Sequence, residues 1–395
     1  MKGPPLNPRV LFLDHTGVLS GAELVLLDIA RHYADSSKVL LFADGPFCKH
    51  LEQAGIAVEV LPAPRAVSEV SREGGGMRDL HAVPGVFKLA WRVARLARGY
   101  DILYANSQKA LVIGALAGRL VGKPVVWHLH DMLSPDHFSQ RRRKLAVTLA
   151  NHMVVRVIAN SRASAAAFVE SGGRAERVRV VYNGIDHSPF ESVEPTEVDV
   201  LREELGLSRV PIVSVFSRLA PWKGQHVLLE ALVHLPGVHA LLVGEALFGE
   251  DAYAKALHKQ AKALGIVDRV HSLGFRRDIP RLMRLSNVVV HTSTAPEPFG
   301  RVIVEGMLAR RPVVATRAGG VTEIVEDGIS GVLVPPGDPK PLAEALTDLF
   351  DDPHKGCALA EAGRVVALER FSLQAMLEGI EEQVQEATAS RQASR

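Results

Sequence analysis

Short β-branched runs alternate with longer amphipathic stretches along this chain, and the alternation starts twice. Val10–Leu13, Val39–Ala43, Val58–Leu61, Ile102–Ala105, Val125–Trp127 and Val154–Ile158 read as strands with helices between them. Apolar runs of this kind, each followed by a helical stretch, predict βαβ units in a parallel sheet buried on both faces. After a polar, proline-containing stretch from Asp186 to Ser208 the rhythm resumes with Ile212–Phe216, Ala240–Val243, Val288–His291 and Val313–Thr316. Two doubly wound α/β domains follow, and 395 residues suit two cores better than one. Val180-Val181-Tyr182-Asn183-Gly184 is a strand running into an Asn-Gly turn. The hinge is expected just beyond it, giving domains 1–187 and 188–395, with the last helix a candidate to pack back on the first. Ligands of such sheets bind at the carboxyl ends of the strands, so the expected site is a cleft between two facing domains.

Composition narrows the function classes. Hydrophobic residues at 47% and charged residues at 23% describe a globular chain. A net charge of +2 gives no argument for nucleic acid, although cations can still gather around an anionic ligand. Cys48 and Cys357 stand far apart without a CxxC neighbour, which argues against a disulfide framework or a cysteine metal site and for a reducing compartment. No secretory signal is expected, because the first apolar run is soon interrupted by Asp14 and His15. Leu111–Gly118, flanked by Lys109 and Arg119, is too short to span a bilayer. A cytoplasmic location with at most peripheral membrane contact is expected. Arg65 to Asp79, with Gly74-Gly75-Gly76, reads as a long loop, and Thr388 to Arg395 as a frayed tail.

The strongest constellation is Ala295-Pro296-Glu297-Pro298-Phe299-Gly300-Arg301-Val302-Ile303-Val304-Glu305. The prolines keep Glu297 out of a helix, whereas Arg301 to Ala309 has helical character, so Glu305 falls about one turn inside a helix starting near Gly300. Both carboxylates can then face one ligand, as acceptors for sugar or ribose hydroxyls, while free N–H groups at the helix start suit a phosphate. The competing reading is surface charge, which the Pro-Glu-Pro-Phe-Gly setting weakens. Directly after a strand, Ser217-Arg218-Leu219-Ala220-Pro221-Trp222-Lys223-Gly224 brackets a turn with two cations, a combination suited to a diphosphate at a strand's carboxyl end. Solvated cations are the alternative. Asp14-His15-Thr16-Gly17-Val18-Leu19-Ser20-Gly21 opens a helix after the first strand and is either a ligand-approach loop or a plain turn. In Trp127-His128-Leu129-His130-Asp131 the histidines share a side of the strand. They lack a third partner for a defined metal site, and each is either a substrate contact or a structural histidine.

Taken together, these stretches and Ala318-Gly319-Gly320-Val321-Thr322-Glu323 resemble the retaining glycosyltransferases of family 4, over nearly the whole chain. The resemblance implies the GT-B fold, an α/β architecture of two Rossmann-like doubly wound domains facing each other across a cleft. It implies that Arg218 and Lys223 neutralise the diphosphate of a nucleotide-diphosphate-sugar donor, that Glu305 binds the ribose, and that Glu297 contacts the transferred sugar. Gly21 would approach the phosphates from the opposite lobe, His130 would lie beside the transferred sugar, and the backbone around Phe299, Gly300, Gly319 and Gly320 would complete the donor site. Ser20 departs from the family, which more often has a second glycine there. The family retains anomeric configuration by attack on the face the nucleotide leaves, which asks the protein for charge stabilisation rather than a nucleophile. The chain has no Asp-x-Asp sequence, in keeping with no metal and no cofactor.

The acceptor is expected on the first domain and is a saccharide, a lipid-linked compound or a small molecule. Val86 to Gly99 sets Val86, Leu89, Val93 and Leu96 against Lys88, Arg92, Arg95 and Arg98, with Trp91 beside them, and Arg141-Arg142-Arg143-Lys144 adds basic charge. That segment is either an ordinary amphipathic helix or a peripheral membrane contact. Two other functions fit the same architecture: a sugar-nucleotide epimerase or phosphorylase, and a non-catalytic sugar-nucleotide-binding protein.

Overall fold

The computed structural model describes residues 8–64, 77–207, 210–247 and 249–392. Its contacts divide the chain into two compact units, Met1–Gly184 with Leu373–Arg395, and Ile185–Ser372.

The first unit is built on seven strands, β1 (Val10–Asp14), β2 (Lys38–Leu41), β3 (Val58–Val60), β4 (Ile102–Ala105), β5 (Val125–Leu129), β6 (Arg156–Ala159) and β7 (Val178–Val180). They lie in the order β3-β2-β1-β4-β5-β6-β7 and all pair in parallel. The chain works outward from β1 in one direction and then returns to β4, so the order reverses between those two strands. β1, β4 and β5 are buried along their whole length, which is why they read as unbroken apolar runs. Alternation along each strand feeds two cores: Leu11, Leu13, Leu103 and Trp127 on one face, Val10, Phe12, Ile102, Tyr104 and Val126 on the other. The second face is covered partly by helix Leu373–Gln392, which lays down Met376, Ile380, Val384 and Ala387 at helical spacing. Gly379 lets that helix close in, since a Cβ there would stand 3.0 Å from a Val181 methyl.

The second unit has six parallel strands, β8 (Ile212–Phe216), β9 (His239–Val243), β10 (Val270–Gly274), β11 (Val288–His291), β12 (Val313–Thr316) and β13 (Val332–Val334). Their order is β10-β9-β8-β11-β12-β13, with the reversal between β8 and β11. The polar stretch after Asp186 holds two short helices, Ser188–Glu191 and Pro195–Glu204.

Three expectations change. Residues 65–76 of the anticipated loop lie outside the described residues, and Met77–Asp79 already belong to helix Met77–Ala97. The tail is helical to Gln392 because Ala387 and Thr388 are buried, the Thr388 hydroxyl donating to the Val384 carbonyl at 2.7 Å. In helix Met77–Ala97, Leu89 and Val93 are core residues and Val86 and Leu96 pack against them. That stripe is therefore the inner face of the helix, turned to the core.

Candidate functional site

Two loops leave the adjacent carboxyl ends of β8 and β11 and are stitched together. After β8 the chain makes a 3-10 turn, Pro221–Lys223, passes through Gly224 in the left-handed region, and enters helix Gln225–Leu232. Gln225 is buried and clips the loop, its amide donating to Ser217 Oγ (2.8 Å) and the Arg218 carbonyl (2.9 Å). After β11, the Thr292 hydroxyl donates to the Lys223 carbonyl and the Thr294 N–H to the Trp222 carbonyl, each at 2.8 Å. These bonds fix Lys223, whose Nζ donates to Glu297 Oε2 at 2.7 Å. The two side chains are only 15% and 13% exposed.

Glu297 is the centre of the cluster. Ser293 Oγ donates to the same Oε2 at 3.0 Å and His291 Nε2 lies 3.3 Å from it, so Oε1 takes none of these bonds. Burial alone would push the carboxyl up; Lys223 and His291 overcome it and hold Glu297 well below the usual carboxylate range. Beside it, Lys223 Nζ and the Arg218 guanidinium stand 4.1 and 5.6 Å from the Trp222 ring centre, within cation–π range. Pro296 and Pro298 keep Glu297 extended, paired with Gly319 in an isolated bridge, and the Gly320 N–H donates to the Glu297 carbonyl at 2.8 Å. A Cβ on Gly319 would fall 2.3 Å from the Glu297 carbonyl oxygen, and one on Gly320 2.4 Å from that of Pro298. The two glycines thus let one backbone lie directly on another.

Gly300 precedes helix Arg301–Leu308, and Glu305 falls one turn inside it. Its carboxylate sits 3.4 Å from the Arg301 guanidinium, a separate ion pair from that of Glu297, and burial raises its pKa against the pull of Arg301. The Phe299 ring is buried edge-on to Phe371, which leaves its backbone as the part able to meet a ligand. The structure therefore gathers Arg218, Lys223, Glu297, Gly319 and Gly320 around one point. His291 and Ser293 join them unforeseen; the available signal was a polar side chain closing the Val-Val-Val run of a central strand.

The first unit has a second polar cluster at its own reversal point. Asp14 ends β1 fully buried, accepting from the His15 N–H and, at 2.6 Å, from Asn106 Nδ2 at the end of β4. Asn106 Nδ2 also faces the Ala22 carbonyl at 3.3 Å. A carbonyl only accepts, so the amide nitrogen belongs there and Oδ1 turns to His130 Nε2, 2.9 Å away. That nitrogen must carry the proton, which fixes the tautomer of His130. His128 takes the structural role: it is buried, its Nδ1 lies 2.7 Å from the Tyr104 hydroxyl, and burial together with His130 holds its pKa well below the ordinary value. Gly21 is the exposed first residue of helix Gly21–His32. Among the described residues no three His, Cys, Asp or Glu side chains are grouped to hold a metal ion.

Glu23, in the first turn of that helix, is 3% exposed and accepts from the Ser20 N–H at 3.0 Å and from the Ser20 hydroxyl. Burial, with Asp14 nearby, pushes its pKa from 4.5 up to about 7. Between those values the unfolded chain has released the proton and the folded chain keeps it, so stability falls as pH rises through this window, by about 3 kcal/mol in all. Glu23→Gln keeps an acceptor for Ser20 and removes the titration. Urea unfolding at about pH 5 and about pH 8 is expected to show this part of the loss in the parent and not in the variant.

Two parallel doubly wound units with this strand order have the GT-B architecture. Residues 20–184 match the Glycosyl transferase 4-like domain and residues 198–366 the Glycosyl transferases group 1. HepE of Anabaena, solved in complex with UDP and glucose, is 47% identical over 95% of this chain and 99% of its own, with a TM-score of 0.88. The D-inositol 3-phosphate glycosyltransferase 1 of Catenulispora acidiphila is 30% identical over 87% of this chain and 85% of its length. Spore coat protein SA of Bacillus subtilis is 31% identical, but the match spans only 52% of this chain and 57% of that protein. The chain belongs to the family 4 glycosyltransferases.

Proposed function

We propose that this protein transfers a hexosyl group from a nucleotide-diphosphate sugar to a hydroxyl of a saccharide, lipid-linked or small-molecule acceptor. The observation that carries this reading is the cationic pair Arg218 and Lys223 at the carboxyl end of β8, with Lys223 held in place by the Glu297 carboxylate. An ammonium has three N–H donors, and the one bond to Glu297 leaves two for phosphate oxygens. Glu297 in turn keeps Oε1 for a hydroxyl of the sugar. In the reaction the C1–O bond to the diphosphate breaks, the acceptor oxygen bonds C1 on the same face, and the acceptor's proton passes to the departing phosphate. Arg218 and Lys223 stabilise the charge that grows there, without a metal ion. Asn106 holds His130 ready for contact with substrate. HepE supports a uridine diphosphate hexose as donor, since it was solved with UDP and glucose and with UDP-glucose at 47% and 46% identity.

Thermal-shift measurements with UDP-glucose, GDP-mannose and ADP-glucose test the donor. UDP-glucose is expected to raise Tm, at about 100 times its Kd by the equivalent of about 2.7 kcal/mol, and transfer is expected to be unchanged by chelator. A panel without any shift would overturn the donor assignment, and chelator-sensitive transfer restored by a divalent cation would overturn metal independence.

A further inference from the structure

The helices covering the Leu11 and Leu13 face of the first unit's sheet carry an outward surface that the core does not use. Helix Met77–Ala97 packs beside Gln108–Val121, which packs beside Gln140–Met153. Four Lys or Arg lie between Val83 and Arg98, two in Gln108–Val121 and four in Gln140–Met153, with no Asp or Glu in any of these segments. The whole chain carries only +2, so the charge is concentrated here. A face that serves solubility alone mixes both signs.

Its apolar residues are equally uneven. Val83, Phe87 and Trp91 recur every fourth residue along the first helix and are 43%, 57% and 55% exposed. This stripe lies on the side away from Leu89 and Val93, which fill the core. One turn further on, the Arg95 guanidinium lies 5.0 Å from the Trp91 ring centre, with Lys88 and Arg92 exposed alongside. Exposed aromatic rings among cations suit the boundary between water and lipid: rings settle at headgroup depth while Lys and Arg extend their charge to phosphates. Anionic lipid adds attraction for every basic residue near its surface. A nucleic acid would use the cations and leave the Val83-Phe87-Trp91 stripe without a counterpart.

We propose that this face docks the first unit on an anionic lipid bilayer, Phe87 and Trp91 entering the headgroup region and Lys88, Arg92, Arg95 and Arg98 meeting lipid phosphates. The test is co-sedimentation of the full chain with vesicles of phosphatidylcholine alone and of equimolar phosphatidylcholine and phosphatidylglycerol. Binding is expected only to the anionic vesicles, weakened at least about tenfold in Arg92→Glu/Arg95→Glu and by a similar factor in Phe87→Ser/Trp91→Ser. Both pairs are exposed, and unchanged circular dichroism and Tm would establish that each variant folds. Absence of binding to either vesicle would overturn the proposal. So would binding that both variants leave intact, or binding to duplex DNA as tight as to the anionic vesicles and indifferent to Phe87→Ser/Trp91→Ser.

Discussion

Turnover with saturating donor is expected to fall about a hundredfold when Lys223 is replaced by alanine, the scale on which an enzyme loses one preorganised donor to a developing anion. Arg218→Ala is expected to do the same from the other end of the turn. The two variants part company in stability. Arg218 touches the Trp222 ring and leaves the Glu297 pair intact when removed. Lys223→Ala strips Glu297 of its strongest partner, so burial acts on a carboxylate held only by His291 and Ser293. Breaking a poorly solvated ion pair from one side costs more than removing both charges, here about 3–5 kcal/mol. Lys223→Met combined with Glu297→Gln is therefore expected to recover stability in urea without recovering turnover. Lys223→Ala with nearly parental kcat would end the case for charge stabilisation by this residue, whatever its effect on unfolding.

The contrast between these two cations also marks the reach of the sequence. The central strands β1, β4, β5, β8, β11 and β12 are legible because a strand buried on both faces is an unbroken apolar run. β10 is not, since its residues are partly exposed and include His271, and β13 is only three residues between a glycine and a proline. Lys223 and Glu297 are legible because prolines and strand ends restrict where their side chains can go. His291, Ser293, Asp14 and Asn106 look like the ordinary polar ends of strands until the order of the sheet places β8 next to β11 and β1 next to β4. Glu305 shows the same limit. Its place on a helix and its i,i+4 pairing with Arg301 follow from local spacing, but its separation from the Glu297 ion pair is a matter of tertiary geometry. Helix Met77–Ala97 has apolar residues on two stripes, and only packing decides that Leu89 and Val93 face inward while Phe87 and Trp91 do not.

Gly224→Ala is expected to be the most damaging small substitution in the second unit. Gly224 has φ +69°, where a side chain costs about 1–2 kcal/mol from its own backbone. A Cβ there would also stand 1.9 Å from the Thr292 carbonyl oxygen and 3.2 Å from a Thr294 methyl. The first contact is with backbone, so no rotamer change relieves it. The turn or the loop after β11 must move, and the bonds from Thr292 to the Lys223 carbonyl and from Thr294 to the Trp222 carbonyl hold both in register. Lys223 adjoins the displaced residue, and in the role proposed for it at the reacting centre a shift of about 1 Å is worth about a hundredfold in rate. Gly224→Ala is thus expected to lose about 3–5 kcal/mol together with most of its turnover. Gly237 supplies the control: its φ is +79° but nothing lies within 4 Å of the added carbon. Gly237→Ala should show the backbone cost alone, about 1–2 kcal/mol, with kcat unchanged. If urea unfolding placed Gly224→Ala within about 1 kcal/mol of Gly237→Ala, the two loops would not be locked together at this contact, and the positioning of Lys223 would have to come from Glu297 alone.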